Sequence, residues 1–299
     1  MSSIDRAANV TSMCKADEFF GTIDFLDRQY NPRTQVPDFA DYFTRWKASA
    51  RVSRELLHGR LDLAYGAAPS EKLDFFAADE ADTPLLVFIH GGYWRALDKA
   101  DFSWIAPAYA AAGVSVAVLN YGLAPGTPIP EIVEQVRRAS VWLYQNAPSL
   151  GVDRRRIACS GHSAGGHLTG MMLATDWTRV APQLPAHLFA AAVAISGVFD
   201  LGPLTQAEFL RHDLRLDVAS ARAISPAFLP LRNDVALLRA VGADESAEFH
   251  RQSKLLAEHW PSVCTSDLMD VSGCNHLSVC EAFATKGNPL FEATLALLA

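Results

Sequence analysis

The residue best placed for covalent chemistry is Ser163, in the pattern G-H-S-A-G that spans residues 161–165. A G-x-S-x-G pattern holds a serine on a tight strand-to-helix turn, where the two glycines leave room for a strained backbone. Residues 156–159 (R-I-A-C) before it are typical of a strand, and a helical pattern follows. The serine hydroxyl would then lie at a helix N-terminus, where the helix dipole favours negative charge. This context predicts that Ser163 is a catalytic nucleophile.

A glycine pair, Gly91 and Gly92, follows directly after the apolar run at residues 85–89. Backbone amides exposed at such a strand end can donate to the oxyanion that forms when a nucleophile attacks a carbonyl. The amide of Ala164, next to the nucleophile, would be a third donor. We therefore predict an oxyanion hole at Gly91, Gly92 and Ala164, and we expect His90 to stabilise the loop rather than to catalyse.

A serine nucleophile needs a base, and in this arrangement the base comes last in the chain. Four histidines follow residue 200: His212, His250, His259 and His276. The first three lie in stretches with a helical pattern, whereas His276 lies in the small-residue loop 272–276 after a strand-like run. A loop at a strand end is the expected position for the base, so the sequence predicts His276.

The acid that orients the base should follow the preceding strand, which we predict at residues 235–241. Asp244 fits this position best, and the adjacent Glu245 is a second choice. Weaker alternatives lie in or next to neighbouring strands: Asp200, Asp267 and Asp270.

No motif in the sequence favours a metal or another cofactor. His162 and His167 flank the nucleophile, but neither HExxH nor CxxC occurs. We expect His162 to shape the turn and His167 to pack. The prediction is therefore a site without metal and without cofactor.

Composition and charge narrow the classes of partner. The chain has 299 residues and a net charge of −7, which argues against nucleic acid or an anionic membrane as a partner. Five cysteines, an odd number, predict no disulfide framework. The N-terminus lacks the apolar core of a signal peptide and no apolar run reaches the length of a membrane span, so a cytoplasmic location is expected. A homodimer is left open.

The order of elements predicts an α/β fold. Short strand-like runs, mostly apolar, at residues 85–89, 114–119, 156–159, 189–195 and 235–241 alternate with helical patterns, which indicates a mostly parallel sheet with helices on both sides. We expect a single domain over residues 1–299. Residues 1–60, rich in aromatic side chains from Phe19 to Trp46, and residues 202–232 do not fit the alternation. They are interpreted as segments that cover the active-site edge of the sheet, with ordinary peripheral packing as the alternative.

The motifs together resemble a known hydrolase family. The stretches H-G-G-Y-W at 90–94, G-H-S-A-G-G-H at 161–167 and N-H at 275–276 resemble the hormone-sensitive-lipase-like branch of the α/β-hydrolases. Within this branch the chain is similar to the kynurenine formamidase (arylformamidase) group, which has comparable residues at 27–33 and 242–244.

This resemblance implies a fold, an activity and a set of site residues. It implies an α/β-hydrolase fold, a Ser163, Asp244 and His276 triad, and cleavage of N-formyl-L-kynurenine to kynurenine and formate through an acyl-enzyme. Tyr93 and Trp94 would form an apolar wall for the aromatic substrate. The alternatives are a general carboxylesterase or a small amide or carbamate hydrolase of the same branch, and a non-catalytic ligand-binding receptor on this scaffold.

Overall fold

The computed structural model describes residues 20–264 and 267–299, and Phe19 and Cys14 lie outside them. Its centre is one eight-stranded sheet with the strand order β1-β2-β4-β3-β5-β6-β7-β8. The strands are β1 (Arg60–Ala64), β2 (Lys72–Phe76), β3 (Thr83–Ile89), β4 (Ser115–Leu119), β5 (Val152–His162), β6 (Ala191–Ile195), β7 (Ala236–Gly242) and β8 (Met269–Val271). Strands β3 to β8 pair in parallel, and β1 and β2 pair antiparallel. The predicted α/β fold with a mostly parallel sheet is confirmed.

The central strands are apolar throughout because helices cover both faces of the sheet. All residues of β3, β4 and β6 are buried. Side chains alternate between the two faces along a strand. In β3, accordingly, Val87 and Ile89 pack into one core cluster, and Leu86 and Phe88 pack into the other. This is the physical reason why continuous apolar runs predicted these strands.

Helices lie on both sides of the sheet. They are α1 (Ile23–Tyr30), α2 (Pro32–Gln35), α3 (Phe39–Leu57), α4 (Ala106–Ala110), α5 (Ile129–Asn146), α6 (Ala164–Leu173), α7 (Trp177–Val180), α8 (Glu208–Leu214), α9 (Val218–Ala223), α10 (Ala247–His259), α11 (Ser278–Phe283) and α12 (Pro289–Ala296). The apolar face of α5 is buried, including Ile132, Val136 and Leu143. Helix α6 starts directly after Ser163 and is buried along its whole length.

Two strands precede the first one that the sequence predicted. Strand β1 lies at the edge of the sheet and is mostly exposed, so it has no continuous apolar run. Strand β2 contains the buried Asp74, whose carboxylate accepts a hydrogen bond from Lys99 at 2.7 Å. A buried ion pair of this kind interrupts the apolar pattern, which is why neither strand was recognised.

The carboxyl ends of the parallel strands share one edge of the sheet. The residues that follow β3, β5, β7 and β8 at this edge include Gly91, Ser163, Glu245 and His276. Groups that are distant in sequence therefore meet there, as expected for ligand sites in open α/β sheets.

Candidate active site

Ser163 occupies the sharp turn that its glycines predict. Its backbone has φ 56° and ψ −116°, in the region that favours glycine, and its amide donates to the Ile195 carbonyl at 2.8 Å. A Cβ on Gly161 would lie 2.2 Å from the Gly165 carbonyl oxygen, and one on Gly165 would lie 1.9 Å from the Ile89 oxygen. Both positions therefore require glycine, because the turn presses the start of α6 against β3 and β5.

His276 is held by a carboxylate, as a base requires, but the carboxylate is that of Glu245. The His276 Nδ1–H donates to Glu245 Oε2 over 2.6 Å, and this carboxylate is fully buried. Its second oxygen accepts from Ser196 Oγ at 2.5 Å and from the Gly242 amide at 2.7 Å. With three donors, the carboxylate has one orientation, and it fixes the imidazole tautomer with a proton on Nδ1.

The prediction that Asp244 orients His276 is wrong by one residue. The chain makes a tight turn after β7, in which the Glu245 amide donates to the Gly242 carbonyl at 3.0 Å. This turn carries Glu245 back over the strand end, whereas Asp244 is exposed and its amide bonds the Cys274 carbonyl. Strand-end position alone did not distinguish the two carboxylates.

The loop that carries His276 packs closely on the nucleophile turn. His162 Nε2–H donates to the His276 carbonyl at 2.7 Å, and the ring of Phe249 lies 4.3 Å from the imidazole ring. Burial, and then the neighbouring His276, hold the pKa of His162 well below its usual range, so it remains a neutral donor. Ser163 and His276 both line one pocket, with the Nε2 of His276 free of any hydrogen-bond partner among the described residues.

The amides of the glycine pair face away from a buried tyrosine. The Tyr121 hydroxyl donates to the His90 carbonyl at 2.7 Å, and it lies 3.4 Å from the Gly91 carbonyl oxygen. Because the N–H and C=O of a trans peptide point in opposite directions, the amides of Gly91 and Gly92 point to the other side of the loop. A Cβ on Gly91 would lie 3.2 Å from the Ser163 Cβ, so Gly91 lies directly beside the turn that carries Ser163.

These amides are available as donors. In the part of the chain that the structure describes, no acceptor bonds the amides of Gly91, Gly92 or Ala164, and Ala164 is the first residue of α6. The position of His90 agrees with its expected role, since its Nδ1–H donates to the Gly91 carbonyl at 2.7 Å and its ring stacks on Tyr121. Tyr121 was missed because a tyrosine 30 residues further along the chain gives no motif.

Only one of the two residues predicted to contact substrate lines the pocket. Tyr93 does so, and its hydroxyl donates to the Tyr30 carbonyl. Trp94 is fully buried, and its indole N–H donates to His167 Nδ1 at 3.2 Å. The prediction for Trp94 is wrong because adjacent residues in this loop point in different directions, and the large ring supports the loop from behind.

The pocket has a volume of about 140 Å³ and is walled mainly by apolar side chains. They come from α3, from the loop after β3 and from α8. The described lining residues are Asn31, Pro32, Arg33, Phe39, Phe43, Trp46, Gly91, Gly92, Tyr93, Arg95, Ala96, Leu97, Phe102, His162, Ser163, Phe209, His276 and Leu277. Both segments interpreted as covers therefore contribute to its wall.

Within residues 20–264 and 267–299, no group of three or more His, Cys, Asp or Glu side chains is arranged to hold a metal ion. The same residues include no helix with the length and apolar composition needed to cross a membrane. The described cysteines, Cys159, Cys264, Cys274 and Cys280, are free thiols.

Comparison with known proteins gives consistent matches. The BD-FAE family model matches residues 73–222. The kynurenine formamidase of Danio rerio is 30% identical over 92% of this chain and 96% of its own length, and that of Salmo salar is 29% identical over 86% and 90%. A candidate thioesterase from Silicibacter sp. tm1040, of known structure, is 32% identical with a TM-score of 0.81, covering 93% of this chain and 99% of its own.

Proposed function

From the premise that the chain belongs to the kynurenine formamidase group of the α/β-hydrolases, and is thus a serine hydrolase, we propose that it cleaves aryl formamides. The proposed substrate is N-formyl-L-kynurenine, and the products are kynurenine and formate. The observation that carries this proposal is the length of the similarity. The match covers 92% of the chain. Even if all the uncovered residues lay at the N-terminus, the match would include the pocket-wall residues from Asn31 onward.

The site geometry supports an acyl-enzyme mechanism. His276 Nε2 takes the Ser163 proton as Oγ attacks the formyl carbon, and Glu245 stabilises the imidazolium that forms. The amides of Gly91, Gly92 and Ala164 donate to the oxyanion. His276 then protonates the departing aniline nitrogen, which leaves a formyl ester on Ser163. Water, deprotonated by His276, attacks that ester and releases formate.

The pocket suits a flat ring on the leaving-group side. A cavity of about 140 Å³ is close to the size that holds a benzene ring. Aromatic side chains line it, namely Phe39, Phe43, Trp46, Phe102 and Phe209. The loop of Gly91 and Gly92 leaves little room on the acyl side, since even a Cβ on Gly91 would lie only 3.2 Å from the Ser163 Cβ. A formyl carbon carries only hydrogen, so it needs the least space there.

A general carboxylesterase is the second candidate. The carboxylesterase NlhH of Mycobacterium tuberculosis is 40% identical over 91 residues, but this match covers only 30% of the chain. The mechanism is the same in both cases. A non-catalytic receptor is the weakest alternative, because a binding protein needs no buried carboxylate behind the histidine.

A substrate panel separates the candidates. We expect kcat/KM for N-formyl-L-kynurenine to exceed that for N-acetyl-L-kynurenine by at least about tenfold, because one added methyl group in a tight pocket costs roughly 1–3 kcal/mol. The kcat/KM for p-nitrophenyl acetate should also exceed that for p-nitrophenyl butyrate. Equal rates on acetyl and butyryl esters, without formamidase activity, would assign the protein as a general esterase.

The expected partner is a small aromatic amide or ester. A homodimer and a cytoplasmic location remain predictions. Sedimentation of the purified protein and fractionation of the producing cells would test them.

A further inference from the structure

We infer that Asn31 and Arg33 form a carboxylate-binding subsite in the pocket wall, which holds an acidic group on the leaving-group side of the substrate. This inference rests on the proposed function, because the leaving group of N-formyl-L-kynurenine carries an α-carboxylate. It names the residues that would distinguish this substrate from a neutral aryl formamide.

The charge of the pocket is opposite to that of the chain. The chain carries a net charge of −7. Nevertheless, the charged side chains among the described lining residues are Arg33 and Arg95, with no Asp or Glu. The Glu245 carboxylate is buried behind His276 and is already bonded to it. An anionic group that enters the pocket therefore meets positive charge without an acidic neighbour that would repel it.

The two arginines differ in their partners. Arg95 pairs with Asp213, and it also donates to the Phe209 carbonyl at 2.7 Å, so its charge is compensated. Arg33 has no acidic or carbonyl partner among the described residues, and its guanidinium lies 5.3 Å from the centroid of the Phe39 ring. A guanidinium can bind a carboxylate through two parallel hydrogen bonds, and Arg33 keeps that capacity available.

Asn31 adds a second donor beside Arg33. Its side-chain oxygen accepts from the Arg33 amide at 3.2 Å and caps α2. This bond identifies the oxygen end of the carboxamide as the one bound to α2, and it leaves the nitrogen end as the donor. The Nδ2 group has no acceptor among the described residues, and Asn31 also lines the pocket. Two side chains with donors that have no acceptor among the described residues therefore line the same pocket.

The subsite is hydrogen-bonded to the catalytic loop, by which we mean the loop after β3 that carries Gly91, Gly92 and Tyr93. The Tyr93 hydroxyl, next to the oxyanion glycines, donates to the carbonyl of Tyr30, which precedes Asn31. The Tyr30 hydroxyl in turn donates to Glu248 Oε2 at 2.6 Å and accepts from Gln252 at 2.9 Å. These bonds anchor the segment before binding, and a preorganised donor costs less ordering entropy when substrate arrives.

The test uses two substrates that differ only in the carboxylate. We define the discrimination ratio as kcat/KM for N-formyl-L-kynurenine divided by kcat/KM for N-formylkynuramine. We expect Arg33→Gln to lower this ratio about 10- to 100-fold, as for loss of a hydrogen bond to a charged group, mainly through KM. Arg33→Lys keeps the charge and should recover part of the ratio. Arg28→Gln is the matched control, since Arg28 is exposed, pairs with Asp24 and should leave the ratio within about twofold.

A ratio in Arg33→Gln within about twofold of wild type would overturn the subsite, because Arg33 would then act on both substrates alike. If the wild-type enzyme cleaves neither formamide, the proposed function fails, and esters test the subsite separately. The ratio of 3-(4-acetoxyphenyl)propanoate to 4-ethylphenyl acetate should then fall about 10- to 100-fold in Arg33→Gln. An unchanged ester ratio would overturn the subsite.

Discussion

The catalytic edge of the sheet and the pocket wall that faces it are built in different ways. The catalytic edge consists of the residues that directly follow β3, β5, β7 and β8, among them Ser163, Glu245 and His276. The pocket wall comes from α2, α3 and α8, which precede or interrupt the alternation of strands and helices. The two regions contact each other through a few hydrogen bonds, such as that from Tyr93 to Tyr30.

The difference lies in how tightly the backbone constrains each region. At the edge, a Cβ on Gly165 would lie 1.9 Å from a main-chain oxygen, so the residue type is dictated by the backbone. In the wall, Phe39 and Phe43 are only half-buried side chains on α3, and another apolar residue would fit the same helix. Changes at the edge should therefore abolish chemistry, whereas changes in the wall should alter selectivity.

The largest effect is expected at the edge, from Ser163→Ala. Removal of the nucleophile should lower kcat by at least about 10⁴-fold, as for other triad members. The midpoint of thermal unfolding should change little, because among the described residues no hydrogen bond of the Ser163 hydroxyl supports the fold. Steady-state kinetics and a melting curve check both outcomes. The exposed Ser149→Ala is the control, and turnover in Ser163→Ala within tenfold of it would contradict the assignment of the nucleophile.

The next effect tests which carboxylate belongs to the edge. Glu245→Gln should lower kcat by about 10³- to 10⁴-fold, because the imidazole loses the charge that stabilises its protonated form. Asp244→Asn should stay within about threefold of wild type, since Asp244 is exposed. Among the described residues, its hydrogen bond to the His276 loop is made by the backbone amide, which the substitution keeps. The neighbouring variants control for each other in the same assay. If Asp244→Asn lost more activity than Glu245→Gln, Asp244 would instead be the residue that orients His276.

Sequence predicted the catalytic edge better than the pocket wall for a physical reason. Residues at the ends of buried strands are marked by apolar runs and by glycines that the backbone requires, and the structure brings the predicted Ser163, Gly91 and His276 to one edge of the sheet. The error between Asp244 and Glu245 arose because a turn of one extra residue cannot be read from strand boundaries. Positions such as Arg33 depend on how a surface helix packs over the sheet, and no local pattern records that packing.

The same limit applies to elements with mixed polarity. Strand β1 is exposed at the sheet edge, and β2 carries the buried Asp74, so neither shows the run that identified β3 or β4. Trp94 was predicted to line the pocket together with Tyr93, but the backbone of this loop has positive φ at both residues. Side-chain directions in such a loop cannot be taken from alternation.

The smallest effect concerns the contact between the catalytic edge and the segment 202–232. His167, in α6, accepts from Trp94 of the catalytic loop at 3.2 Å, and its Nε2–H donates to the Ile224 carbonyl at 2.7 Å, in the segment 202–232. Burial lowers the pKa of His167 from about 6.5 to about 4. Between these values the unfolded chain binds a proton that the folded chain does not, so the free energy of unfolding should fall as the pH drops from about 6.5 towards 4.

Replacing His167 isolates its share of that pH dependence. Going from pH 7.5 to pH 5, the wild-type protein should lose about 2 kcal/mol of its free energy of unfolding through His167. His167→Gln keeps a donor for the Ile224 carbonyl but cannot titrate, so its loss over the same interval should be smaller by about that amount. Urea unfolding at the two pH values measures the difference. His212→Gln, at a 79% exposed side chain, should lose as much as wild type. An equal loss in His167→Gln would show that the contact between the catalytic edge and the segment 202–232 does not sense pH through this residue.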